Sequence, residues 1–184
     1  MSERVAIVVG AGGELGRATA VALAGAGYTV VGVDRNEQGL KELPDGIRRE
    51  VGDGTDPAAA RSLIDRIAAE TGPPEVLVNT IGTFRLGEAV AATPEDLKLL
   101  MDVNLGAALW LSQAVEPYMR QRGKGSIVHV SARPATDPTA NRATFPAELL
   151  AHAVSPEAIA NVIAFLAGDL AAPVSGAIIP AYGA

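Results

Sequence analysis

Residues 4–16 read Arg-Val-Ala-Ile-Val-Val-Gly-Ala-Gly-Gly-Glu-Leu-Gly, and this stretch decides the fold. The apolar, β-branched run Val5–Val9 predicts a buried strand that ends at Gly10. Further glycines stand at 12, 13 and 16, and the pattern from 14 to about 26 is helical. A strand, a tight glycine turn and a helix N-terminus together favour a bound phosphate, because backbone N–H groups and the helix dipole both attract an anion. The stretch therefore predicts the phosphate-binding turn of a dinucleotide fold.

Beyond this stretch, β-type runs alternate with helical runs almost to the end of the chain. Further strands are predicted at 28–33, 47–51, 76–78, 125–130 and 176–180, with helices beginning at Asn36, Asp56, Thr93 and Ser155. The helix from Thr93 is expected to run to about Arg122. Regular alternation of this kind predicts an α/β protein with a doubly wound parallel sheet and helices on both faces. We expect one domain over residues 1–184.

The composition excludes several classes of function. The 184 residues include no cysteine and only two histidines, His129 and His152, so thiolate and histidine-rich metal sites are not expected. A formal net charge of −6 disfavours nucleic acid as a partner. No apolar run reaches the roughly 18 residues of a membrane span, and no signal peptide is visible. We therefore expect a cytoplasmic protein that acts on a small molecule.

An acidic residue ends the second predicted strand. Asp34 lies 18 positions after Gly16, where a carboxylate can accept hydrogen bonds from the adenosine ribose hydroxyls. The same carboxylate would repel a 2′-phosphate, so NAD is favoured over NADP. Arg35 leaves the alternative open, because a guanidinium beside Asp34 could receive that phosphate.

At this point the sequence resembles the short-chain dehydrogenase/reductase family over most of its length. The segments that carry the resemblance are the glycine turn with Gly10, Gly13 and Gly16, residues 52–56, 76–82, 102–105 and 125–131, and the closing segments 155–160 and 175–180. Within 76–82, Thr80 and Ile81 depart from the Asn-Asn-Ala-Gly motif of the family. The resemblance implies a Rossmann-like fold that binds a nicotinamide dinucleotide.

The resemblance also implies a set of site residues. The cofactor contacts expected are Gly10, Gly12, Gly13, Leu15, Gly16, Asp34, Arg35, Asp53, Gly54, Asn79, Ile81 and Gly82. Asn104 matches the asparagine of the family's proton relay, and Ser131 lies one place before the position of its catalytic serine, which is Ala132 here. We therefore expect Asn104 and Ser131 as the catalytic candidates and no metal.

The chain departs from the family at its catalytic Tyr-x-x-x-Lys motif. The three tyrosines are Tyr28, Tyr118 and Tyr182, and none is followed by lysine four residues later. The helix that carries this motif and the sixth strand are therefore expected to be missing. The last strand would then pair beside the fifth, in the order 3-2-1-4-5-last, and the helix over 93–122 would expose an apolar patch that could join two copies.

Two hypotheses follow from this departure. In the first, the chain is an NAD(H)-binding oxidoreductase that transfers hydride to or from a carbonyl or alcohol substrate. Its proton would come from a group other than the tyrosine, with Tyr182, His152 and Arg133 as candidates by position in the sequence only. In the second, the chain is a catalytically inactive cofactor-binding or interaction protein.

Overall fold

The structure, a computed structural model, describes residues 4–85, 89–131 and 154–181. Five parallel strands form one sheet in the order β3-β2-β1-β4-β5. Their bounds are β1 Val5–Val9, β2 Thr29–Asp34, β3 Arg48–Val51, β4 Pro74–Asn79 and β5 Ser126–His129. The central strands β1 and β4 are buried along their whole length, as their continuous apolar runs predict for a parallel sheet covered on both faces.

Helices cover both faces of this sheet. Their bounds are α1 Glu14–Gly25, α2 Glu37–Leu40, α3 Pro57–Thr71, α4 Pro94–Met101, α5 Ala107–Arg122 and α6 Pro156–Ala167. One core cluster joins α1 and α6 to alternate residues of the central strands, and the other joins α3 and α5 to the remaining strand residues. The predicted α/β fold with helices on both faces is confirmed.

The prediction of a last strand beside β5 is wrong. Residues 176–181 belong to no strand, and the Ile178 side chain is 92% exposed. Gly176 has a φ of +63°, which breaks the extended backbone at the start of the apolar run. Pro180 has no N–H to donate to a ladder at the other end. Among the described residues, β5 is therefore an edge strand.

The helix predicted over 93–122 contains an interruption. A π-helical segment, Asp102–Gly106, lies between α4 and α5. Several apolar side chains along these helices are 45% exposed or more: Leu97, Met101, Leu105 and Leu109. The expected exposed apolar patch is therefore present, and its use as a contact between two copies stays a prediction.

In the described part of the chain, no helix combines the length and the hydrophobicity that crossing a lipid bilayer requires.

Candidate cofactor site

Two glycines of the turn after β1 are required by close packing. A Cβ on Gly10 would lie 2.4 Å from Thr80 Oγ1, and Gly10 itself has a φ of +91°. A Cβ on Gly16 would lie 2.1 Å from the carbonyl oxygen of Gly10. A side chain at Gly16 would therefore push the first turn of α1 away from the end of β1, and one at Gly10 would displace Thr80 at the end of β4.

The N-terminus of α1 is open in a way that fits an anion. Its N-cap, Gly13, is exposed and offers no side chain to the first-turn N–H groups. By contrast, side chains cap α2, α3, α4 and α6, namely Asn36, Asp56, Thr93 and Ser155. The free N–H groups of α1 lie at the carboxyl end of β1, where a pyrophosphate could accept their hydrogen bonds.

The carboxylate of Asp34 lies directly against this turn. Its Oδ2 accepts a hydrogen bond from the Gly12 N–H at 2.9 Å, and its Oδ1 accepts one from the Asn36 N–H at 2.9 Å. The carboxylate thus joins the end of β2 to the glycine turn and is held in place by both. Because two carboxylate oxygens offer about four acceptor positions, Asp34 keeps capacity for the hydroxyl groups of a ribose.

Asp53 occupies the loop after β3. Its Oδ1 accepts hydrogen bonds from the Thr55 N–H at 2.8 Å and from the Thr55 hydroxyl at 2.7 Å. The backbone hydrogen bond from Thr55 lowers the pKa of Asp53 below its usual value, and the charge of Arg35 acts in the same direction. The neighbouring Gly54 is buried, and a Cβ there would lie 3.0 Å from Leu111 and 3.2 Å from Ile81.

These groups line one cavity of about 340 Å³ at the carboxyl ends of the central strands. Of the predicted contacts, it is lined by Gly10, Gly13, Asp34, Arg35, Asp53, Gly54, Ile81 and Gly82. Gly52, Thr55 and Thr80, which belong to the segments 52–56 and 76–82 of the resemblance, also line it. Val9, Thr83, Leu99 and Val103 line it as well and were not predicted. Leu99 and Val103 come from helices distant in sequence, so no local pattern could have indicated them.

The remaining predicted contacts shape the cavity without lining it. Gly12 donates to Asp34, and Gly16 provides the close packing of the turn. Leu15 packs against the core cluster on the α1 and α6 side of the sheet. Asn79 is 2% exposed, and its Oδ1 accepts a hydrogen bond from the Ile81 N–H at 2.9 Å, which fixes the chain as it leaves β4.

Asn104 lies in the π-helical segment and holds the loop after β4. Its Oδ1 accepts a hydrogen bond from the Thr83 N–H, and its Nδ2 donates one to the Thr83 carbonyl, both at 2.9 Å. Because both ends of the amide are used, the side chain acts here as a clamp on one wall of the cavity. Ser131, the second catalytic candidate, is exposed and does not line this cavity.

The tyrosines that the structure describes lie elsewhere. The Tyr28 hydroxyl donates to the Ala167 carbonyl at 2.9 Å, and the Tyr118 hydroxyl donates to Asp65 at 2.8 Å, which raises the pKa of Tyr118. Arg133, His152 and Tyr182, together with Ala132, lie outside the described residues. The expected loss of a helix and strand after β5 concerns the same undescribed stretch.

His129 is the remaining titratable group near the end of β5. Its Nε2 lies 2.9 Å from the Ser112 hydroxyl, which donates to the Ala108 carbonyl at 2.7 Å. The imidazole therefore donates to Ser112, and burial lowers the pKa of His129. This geometry describes a packing contact between β5 and α5, since the serine proton is committed to the helix.

Together, the open helix N-terminus, the close-packed glycines and the two carboxylates are features of the dinucleotide-binding class of α/β folds. A family model described as short chain dehydrogenase matches residues 4–148. The chain belongs to the short-chain dehydrogenase/reductase family.

Individual relatives agree with this assignment. A short chain dehydrogenase of Pseudocercospora fijiensis is 38% identical over 146 residues, covering 74% of this chain and 47% of that protein. The short-chain reductase protein NovJ of Streptomyces niveus is 37% identical, covering 71% of this chain and 52% of that protein. A solved short-chain dehydrogenase from Streptomyces avermitilis matches with a TM-score of 0.67 and 32% identity, covering 73% of this chain and 51% of the other. The chain thus spans about half the length of the curated relatives that it matches.

Proposed function

We propose that this protein binds NAD(H) in the cavity at the carboxyl ends of β1, β2 and β4. The observation that carries the proposal is that three groups lie together at the carboxyl ends of the central strands. These are the uncapped N-terminus of α1, the carboxylate of Asp34 and the carboxylate of Asp53. We further propose a cytoplasmic oxidoreductase that transfers hydride between the cofactor and a carbonyl or alcohol carbon.

Each part of the site has a separate role in this proposal. The first-turn N–H groups of α1 hold the pyrophosphate, Asp34 the adenosine ribose, and Asp53 with Gly54 the adenine. Thr80, Ile81 and Gly82 line the cavity beyond β4, and Asn79 holds this segment in place. When bound, the nicotinamide supplies a hydride acceptor or donor, while the protein binds and orients it.

The preference for NAD over NADP rests on charge. Asp34 lies where a 2′-phosphate would have to bind, and two negative charges in contact are unfavourable. Arg35 also lines the cavity and is exposed, but its charge acts on Asp53, which lines the same cavity. We therefore propose that Arg35 does not reverse the selection made by Asp34.

A second candidate function is cofactor binding without turnover. A general acid has to lie within hydrogen-bond reach of the reacting oxygen. The hydroxyl groups of Tyr28 and Tyr118 are committed to Ala167 and Asp65, and the sequence has no Tyr-x-x-x-Lys. In this candidate, the site holds the dinucleotide, and no residue of the chain protonates a substrate.

A turnover assay separates the two candidates. The chain is mixed with NADH and a panel of aldehydes and ketones, and the loss of NADH is followed, with binding measured in parallel by calorimetry. Oxidation of NADH by at least one substrate supports the oxidoreductase. Binding without oxidation supports the second candidate, and the absence of binding to either nicotinamide dinucleotide contradicts both.

A further inference from the structure

Gly54 and Ile81, which both line the cofactor cavity, lie against each other although they follow strands that are not neighbours. Gly54 follows β3 and Ile81 follows β4, and in the sheet β2 and β1 lie between these two strands. The loop after β3 therefore extends along the carboxyl ends of the intervening strands until it reaches the loop after β4. The contact between Gly54 and Ile81 joins these two loops at the cavity.

The position that a side chain of residue 54 would take is already occupied. A Cβ on Gly54 would lie 3.0 Å from Cδ1 of Leu111 and 3.2 Å from Cδ1 of Ile81. Both distances are shorter than the ordinary van der Waals separation of two carbon atoms, which is about 3.5–4.0 Å. Glycine at position 54 is thus what allows the loop after β3 to approach these two side chains.

Of these two neighbours, Ile81 is the one that can move. Leu111 is 0% exposed and belongs to the core cluster of α3 and α5, so close packing holds its side chain in place. The side chain of Ile81 is partly buried, packs against the same cluster and lines the cavity. Its backbone is fixed, because its N–H donates to Asn79 Oδ1 at 2.9 Å. A side chain at position 54 would therefore displace the Ile81 side chain into the cavity.

The size of the side chain at position 81 fits the absence of one at position 54. Ile81 stands where the Asn-Asn-Ala-Gly motif has alanine. Its side chain adds apolar volume after β4, and the glycine after β3 leaves room for that volume. Exchanges that keep the total volume are the ones that a packed site tolerates best. The two positions are therefore expected to depend on each other.

We propose that Gly54 and Ile81 form a size-complementary pair that sets the width of the cavity for the adenine base. This inference rests on the proposed function, in which Asp53 and Gly54 hold the adenine at the loop after β3. The apolar side chain of Ile81 forms one side of the space for the base, where contact with a flat ring removes apolar surface from water. The missing side chain of Gly54 leaves Ile81 in a position that does not enter this space.

A double-mutant cycle tests the pair by calorimetric titration with ADP-ribose, which contains adenine, ribose and pyrophosphate. Gly54→Ala is expected to weaken binding by about tenfold, because overpacking displaces Ile81 into the cavity. Ile81→Val removes the Cδ1 methyl and should weaken binding by about fourfold, the loss of one buried methylene contact. In the Gly54→Ala background, however, Ile81→Val should strengthen binding, because it removes an atom that the new Cβ meets. Effects that simply add in the double variant overturn the proposal.

Gly52→Ala is the matched control in the same loop. A Cβ on Gly52 would lie 2.9 Å from both Cδ atoms of Leu63, and the three atoms nearest to it all belong to this buried side chain of α3. The control therefore overpacks the loop after β3 without acting through Ile81, so Ile81→Val should not strengthen binding in its background. An equal gain in both backgrounds would show a general loosening of the site and overturns the proposal.

The wild type gives a direct measurement that does not depend on the variants folding. In a chain labelled at the isoleucine δ1 methyl groups, ADP-ribose is expected to shift the NMR signal of Ile81. Nuclear Overhauser effects should connect this methyl group with the protons of the adenine. Binding of ADP-ribose without these effects overturns the role of the pair and leaves the proposed cofactor site standing, whereas absence of any ADP-ribose binding overturns both.

Discussion

Gly16 illustrates how single residues determine the cofactor site. It is buried at the start of α1, and its missing side chain lets the helix begin directly against the carbonyl of Gly10. Gly13, three residues before it, is exposed and lines the cavity. The turn is therefore rigid on its protein side and open on the side where a phosphate would bind.

Gly16→Ala is expected to abolish NADH binding and to lower the melting temperature, because its Cβ would lie 2.1 Å from a backbone oxygen. The matched control is Gly25→Ala at the end of the same helix, where nothing lies within 4 Å of the added Cβ. This control should bind normally and gain about 0.5–1 kcal/mol of stability. Thermal denaturation and calorimetry check both variants, and unchanged binding in Gly16→Ala would contradict the packing argument.

Asp34→Asn is expected to reduce the preference for NADH over NADPH by about tenfold, equivalent to about 1.4 kcal/mol. The amide keeps an acceptor for the Gly12 N–H but removes the charge that opposes a 2′-phosphate. Asp45→Asn, in an exposed turn, makes the same change in net charge away from the cavity. Calorimetric titration with both dinucleotides measures the ratio. An equal change of the ratio in both variants would show that net charge, and not Asp34, selects the cofactor.

At the scale of elements, the sequence predicts the strands and helix starts that a short run of neighbouring residues specifies. The strands β1, β2 and β4 follow from β-branched runs, and the helix starts at Asp56, Thr93 and Ser155 follow from capping residues, all of which accept the expected backbone hydrogen bonds. The π-helical segment Asp102–Gly106 could not be predicted, because no pattern of residue types in the sequence marks the change of hydrogen-bond register. The strand predicted over 176–180 fails for a related reason, since its apolar pattern says nothing about whether β5 offers it a partner.

The π-helical segment gives Asn104 its position, and Asn104→Ala tests what that position does. Loss of the two hydrogen bonds to Thr83 should free the loop after β4 and raise the exchange rate of the Thr83 amide by about tenfold. NADH affinity should fall as well, because Thr83 lines the cavity. Gln113→Ala, at an exposed position of α5, is the control and should change neither. An unaltered exchange rate at Thr83 would show that the side chain of Asn104 does not hold the loop after β4.

At the scale of the whole molecule, one buried carboxylate connects several elements at the amino ends of the strands. Glu75 in β4 is 4% exposed. It forms ion pairs with Arg4 before β1 at 2.9 Å, Arg122 at the end of α5 at 2.9 Å, and Lys124 before β5 at 3.2 Å. Arg4 also lies over the Tyr28 ring at 4.4 Å, and Tyr28 bonds to Ala167 at the end of α6. The cluster joins elements that are far apart in sequence, which is why no local pattern predicted it.

Glu75→Gln should lower the free energy of unfolding by about 3 kcal/mol at neutral pH, because it leaves three cations around a neutral group. The figure is at the lower end of the usual range because Arg4 and Lys124 are partly exposed. The control is Glu116→Gln, which removes an exposed ion pair between Glu116 and Arg120 within α5. This control should lower the free energy of unfolding by at most about 0.5 kcal/mol. Urea denaturation measures both variants.

The same cluster predicts a dependence on pH. Burial raises the pKa of Glu75, but hydrogen bonds from Arg4 and Lys124 outweigh burial and hold it below its usual value. Its contribution to stability is therefore complete above the unfolded pKa of about 4.3 and is lost as the pH falls through the native pKa. The difference between wild type and Glu75→Gln should shrink in acid. A difference that stays constant across this range would exclude an ionised Glu75 as its cause.

In the proposed function, the uncapped turn after β1, Asp34 and Asp53 form one site for NAD(H). Isothermal titration of the wild-type chain with NADH, and separately with NADPH, tests it most directly. We expect saturable binding of one dinucleotide per chain, with NADH at least about tenfold tighter than NADPH because of the charge of Asp34. No binding of either dinucleotide, or tighter binding of NADPH, would contradict it.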